Sequence, residues 1–115
     1  MTTAPGNPAL RGHRFLDALY DDDYFPAPVL DRGVAILRRL CARIEAAPPA
    51  GLPGLYALTH AATREFNALE AAFEEAGSEI ETVAREEICE EFWRISRAYG
   101  FEEADVDELT APREW

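Results

Sequence analysis

The sequence contains no lysine: its 11 cations are all arginine, set against 22 acids for a formal net charge of −11. A field of that sign repels phosphate backbones, so nucleic acid is not an expected partner. Cysteine is scarce, with only Cys41 and Cys89, and no CxxC spacing exists to build a metal or redox motif. Both lie in expected helices among apolar neighbours, where a thiol behaves as a small hydrophobe. No stretch approaches the roughly 18 consecutive apolar residues of a membrane-crossing helix. Met1 to Pro8 has no basic region followed by an apolar run, so no signal peptide is expected and a reducing cytoplasm is the default location. Serine occurs only at Ser78 and Ser96, and GxSxG, Walker and GxGxxG patterns are all missing. No nucleophile stands beside a base, so the sequence gives no support to catalysis.

What is present is helix. At 115 residues and 48% hydrophobic, the chain suits one globular domain, with no need of a disulfide or metal to fold. Residues 1–10 read as a flexible tail and 11–115 as the domain. A first helix is expected over Arg11–Tyr20, with Phe15, Leu16 and Leu19 as its apolar side. The run Asp21-Asp22-Asp23 interrupts it as capping residues; it lacks the alternation and glycine of a calcium loop. Pro28 marks a second helix to about Ala47, striped by Val29, Val34, Leu37, Leu40 or Cys41, and Ile44. Gly33 within it suggests close packing by another element. Arg32, Arg38, Arg39 and Arg43 form a short basic patch on the same helix, read as a solvated face.

Pro48 to Gly54 holds three prolines and two glycines and reads as a linker. A third helix follows over Leu55–Ala76, on Leu55, Leu58, Ala62, Phe66, Leu69 and Phe73. Gly77 suits its end, and Ser78 with Glu81 fits a capping box for a fourth helix running to Tyr99. In that reading Ser78→Ala would cost about 0.5–2 kcal/mol. Gly100 ends the fourth helix, Asp105 caps one short turn, and Thr110–Trp115 is a non-helical tail. The expected fold is therefore all-α: a single-domain antiparallel bundle of about four main helices plus a short C-terminal turn. Trp93, off the main stripe, suits either a dimer contact or cover by the tail and Trp115.

One constellation stands out as a candidate site. Tyr56, His60, Thr63, Asn67, Glu70 and Glu74 step by three or four along one flank of the third helix. Such a row suits a groove for a polar ligand, and equally a solvated flank. It makes a poor metal site, because Thr63 and Arg64 occupy the positions where His60 would need a second ligand, and no cofactor is implied. Glu81, Glu87 and Glu91 border the apolar face of the fourth helix; Glu81 reads as a cap, and Glu87 and Glu91 as partners for arginines across the bundle edge, with Arg85 and Arg94 as further nearby partners.

Four segments together resemble a known family: Leu19–Pro26 (LYDDDYFP), Leu58–Thr63 (LTHAAT), Ser78–Glu86 (SEIETVARE) and Ala111–Trp115 (APREW). They are similar to a bacterial set of short proteins, number 5713 among the domains of unknown function. The resemblance spans nearly all of the chain beyond the first ten residues. It implies a small helical protein and supplies no activity, cofactor or catalytic residue. It draws attention to Tyr24, His60, Thr63, Asn67, Glu79, Glu81 and Trp115. From Arg64 to Glu91 ten acids face two bases. The expected function is thus a non-catalytic acidic interaction module, regulatory or immunity-like, meeting a basic protein partner. The alternative is a small-molecule or metal-binding protein, possibly an enzyme, using the row on the third helix.

Overall fold

A computed structural model of the protein describes residues 4–115. The chain is all-helical, in the order α1 (Asp17–Tyr20), α2 (Ala27–Ala46), α3 (Leu52–Glu75), α4 (Thr82–Ala98) and α5 (Val106–Leu109). Three long helices rather than four build the bundle, because the expected first helix does not run through. Pro8–Gly12 forms a turn, Leu16 adopts a left-handed φ of 60°, and only Asp17–Tyr20 is helical. The physical reason is on α4. The Glu91 carboxylate takes the Leu16 backbone N–H at 2.7 Å, a donor that a continuous helix would have used internally.

The long helices obey their apolar periodicity. On α2 the buried positions are Val29, Leu30, Gly33, Ile36, Leu37, Leu40, Cys41 and Ile44, at the three-to-four spacing of one helical face. Gly33 does mark a close approach. A methyl there would lie 3.1 Å from Leu16 Cδ1 and 3.3 Å from Phe66 Cε1. On α3 the stripe runs Leu55, Thr59, Ala62, Thr63, Phe66, Leu69 and Phe73. Its two buried hydroxyls bond back to the helix, Thr59 to Tyr56 O at 3.2 Å and Thr63 to Thr59 O at 2.8 Å. α2 and α3 pack side by side, and the Arg39–Glu65 pair at 3.2 Å ties their surfaces.

Helix ends follow local chemistry, with one correction. α3 begins at Leu52, inside the expected linker, because Pro53 fits the first turn and needs no donor there. Gly77 (φ 82°) and Gly100 (φ 89°) end α3 and α4. In each case the following residue donates five positions back, Ser78 to Phe73 O and Phe101 to Ser96 O, a geometry that left-handed glycine permits. Ser78 therefore belongs to the end of α3 and not to the start of α4. Glu81 caps α4 itself, accepting from Val83 N at 3.2 Å, while Ser78 Oγ is buried without a protein partner. Cap loss is thus no ground for expecting Ser78→Ala to destabilise. Asp105 caps α5 as expected, accepting from Asp107 N.

Both end segments are bonded to the bundle. Gly6 N and Asn7 N donate to the Glu45 carboxylate at 3.2 and 3.0 Å, Asn7 Nδ2 bonds Ala98 O at 2.7 Å, and Leu10 is fully buried. Of the expected tail, residues 1–3 lie outside the described residues. The C-terminal segment from Asp105 to Trp115 lies along α3 and α4, with Leu109 buried and the Trp115 ring 6.2 Å from Phe66. Trp93 is 40% exposed beneath the Arg97 guanidinium, while Trp115 packs on Phe66.

Candidate functional site

The row on α3 meets the chain's own C-terminal segment. Tyr56 OH accepts from Asp105 N at 3.2 Å, and His60 Nε2 lies 2.6 Å from Glu108 O. A carbonyl only accepts, so His60 carries its proton on Nε2 and donates it. The Tyr56 and His60 rings are near parallel, at 12°. Thr63 Oγ1 reaches Leu109 O at 3.3 Å. Asn67 clamps the final turn, donating to Pro112 O at 3.0 Å and accepting from Glu114 N at 2.9 Å.

Four of the six row residues therefore converge on one object, and that object is backbone. The three-to-four stepping that lined them up is the spacing needed to satisfy main-chain groups of an irregular segment lying along a helix. Arg113 Nη1, 3.2 Å from Cys89 Sγ, fastens the same segment to α4. Glu70 and Glu74 are not part of this grip. Glu74 is exposed, and Glu70 is half-buried with its carboxyl raised, first by burial and then by the carboxylates of Glu74, Glu114 and Glu79. Among the described residues no group of three or more His, Cys, Asp or Glu side chains is placed to hold a metal ion.

The sequence reading missed a second polar cluster. Glu91 is 1% exposed and gathers three donors: Leu16 N, His13 Nε2 at 2.8 and 3.1 Å to its two oxygens, and the Arg94 guanidinium. Arg94 also reaches Glu90 at 3.6 Å. Glu91 does pair with an arginine, but along its own helix, and its principal work is to hold the segment before α1. Nearby Glu87 is raised, chiefly by burial and then by Glu90 and Glu91, with Arg94 and His13 opposing. The signal available in sequence was an acid at an inward position, one residue before Phe92 and three after Ile88; nothing in the local pattern named His13 as its partner.

The other reactive groups are quiet. Cys41 is buried, and burial first of all pushes its thiol up to about 12, so it stays un-ionised at neutral pH. Asp22, within the acidic triple, makes a local turn by accepting from Tyr24 N at 2.9 Å.

The family of unknown function DUF5713 matches residues 9–115. The chain belongs to that family. The matched range takes in α1 to α5, the Glu91 cluster and the whole C-terminal segment, so both clusters lie inside the DUF5713 region. No curated protein and no solved structure matches the chain.

Proposed function

We propose that this DUF5713 protein is a non-catalytic interaction module whose acidic pole engages a basic protein partner. The observation that carries the reading is the crowding of carboxylates around Glu70. Glu74 from α3, Glu79 from the α3–α4 connection and Glu114 from the C-terminal segment all raise its carboxyl, with Arg85 as the opposing base. Three chain segments thus deliver like charge to one end of the molecule. The last turn of α3 contains no basic residue, so the negative end of that helix adds to the field. Glu74, Glu75 and Glu79 are exposed there. Such a pole speeds encounter with a cationic surface and makes association salt-sensitive. The alternative of a ligand site on the α3 row loses its main support, since Tyr56, His60, Thr63 and Asn67 are taken up by the C-terminal segment.

The test is cross-linking in native extract at low and high ionic strength, comparing the wild type with the double variant Glu74→Lys/Glu79→Lys. Basic proteins captured by the wild type should fall away in high salt and with the variant. Capture that ignores both salt and charge reversal, or no capture at all, would sink the reading.

A further inference from the structure

A cleft of about 360 Å³ opens between the α1 region and the outer flank of α2, away from the C-terminal segment and its row. That volume falls within the roughly 300–1,000 Å³ of small-molecule sites. Buried Phe15 and half-buried Val34 supply an apolar wall. The polar wall holds two guanidiniums, Arg14 and Arg38, and two carboxylates, Asp17 and Asp31. Arg14 and Asp17 face each other at 3.4 Å, which leaves Arg38 and Asp31 as the charges that a guest would meet.

Two details distinguish these from an ordinary solvated patch. Arg38 Nε is buried and has no hydrogen-bond partner. A donor withdrawn from water without an acceptor is unfavourable, and an acceptor brought by a guest would relieve it. Asp31 Oδ1 accepts the Tyr20 phenol at 2.6 Å, which orients the carboxylate, and a carboxylate retains capacity for further donors. Asp31 raises the Tyr20 phenol while Arg38 and Arg14 lower it, so charges of both signs from the cleft wall act on one hydroxyl. The cleft is charge-balanced, which suits neither a dianionic phosphate nor a simple cation.

We propose that this cleft binds a small zwitterion of the α-amino-acid class, its carboxylate on Arg38, its ammonium on Asp31 and an apolar side chain against Phe15 and Val34. This reading is independent of the acidic pole, since it uses a different end of the charge distribution.

The experiment titrates the full chain, followed by backbone amide NMR and calorimetry, with three probes sharing one hydrocarbon body. L-leucine carries both charges, 4-methylvalerate the carboxylate alone and isoamylamine the ammonium alone. Leucine should move amide signals around Phe15, Tyr20, Val34 and Arg38, and each half-charged probe should bind about tenfold more weakly or worse. Arg38→Gln should weaken leucine by at least about tenfold, while Arg43→Gln, elsewhere on α2, leaves it unchanged. Asp31→Asn, at an exposed position and with an oxygen kept for the Tyr20 hydroxyl, should weaken leucine but not 4-methylvalerate. Unmoved signals with leucine, equal binding of leucine and 4-methylvalerate, or undiminished binding by Arg38→Gln would each overturn the assignment.

Discussion

The molecule holds its two irregular segments by opposite means. The stretch before α1 is gathered onto one buried carboxylate, Glu91, by a backbone N–H and an imidazole, with the Arg94 guanidinium of α4 on the same carboxylate. The segment after α4 is held by Tyr56, His60, Thr63 and Asn67 in a row on α3, each making one or two hydrogen bonds with main chain. A concentrated cluster fails as a unit, because removing its centre takes the acceptor from all three partners at once and leaves the Leu16 N–H buried without one. A distributed row fails in steps, because each lost bond leaves the others intact and water can reach the gap. The lesson concerns where a mutation is felt: globally at Glu91, locally along the row.

The largest expected effect tests the first half of that contrast. Glu91→Ala leaves the Leu16 N–H buried, removes the acceptor of His13 Nε2 and takes the counter-charge from Arg94. A buried donor left without its acceptor costs about 1–3 kcal/mol, and the lost pair with the part-exposed Arg94 adds up to about 1 kcal/mol, so urea unfolding should show a loss of about 2–4 kcal/mol. Glu91→Gln keeps an acceptor for Leu16 and should lose less. If Glu91→Ala unfolds as the wild type does, the cluster is not what holds the segment.

A smaller effect sharpens the second half. Asn67→Ala removes the clamp on Pro112 O and Glu114 N, and two ordinary hydrogen bonds correspond to about 1–2 kcal/mol. The more telling readout is hydrogen exchange. Amides from Asp105 to Trp115 should lose protection while those of α2 keep theirs, since local opening is available without global unfolding. Equal loss of protection in α2 would mean that the row, too, acts as a unit.

The contrast also explains what could be read from the sequence. Helix positions came through because apolar stripes and punctuating Pro and Gly act locally; α2 begins and ends within one residue of expectation, and α4 ends within one, although it starts three residues late, at Thr82. The α3 row was visible for the same reason, as helical stepping of Tyr56, His60, Thr63 and Asn67. Its occupant was not, since the bonds go to backbone groups some 45 to 49 residues away, which have no side-chain signature. The break before α1 was hidden more deeply. Arg11–Tyr20 has acceptable helical periodicity, and only a carboxylate 75 residues later in sequence overrides it at Leu16. Ser78 and Glu81 misled for a local reason: one serine suited both a helix start and the closing turn after Gly77, and the backbone bond to Phe73 O decided for the latter.

The smallest expected effect lies where the row stops gripping and becomes electrostatic. Glu70 continues the stepping from Asn67 but faces Glu74, Glu114 and Glu79, and burial together with those charges raises its carboxyl. A carboxylate raised in the folded state favours its neutral form there. Its stabilising contribution is complete below the unfolded value of about 4.3 and is lost as pH rises through the raised folded value. At neutral pH the charged Glu70 therefore opposes folding, and Glu70→Gln should raise the melting temperature slightly, within the roughly 0.5 kcal/mol typical of surface substitutions. The gain should vanish below about pH 4, where the wild-type side chain is itself neutral, and it should shrink in high salt, which screens the neighbouring carboxylates. Melts of both proteins across that range are the check. A gain that persists at low pH would assign the effect to packing, and would remove the acidic pole's claim to be an electrostatic feature distinct from the hydrogen-bonding row beside it.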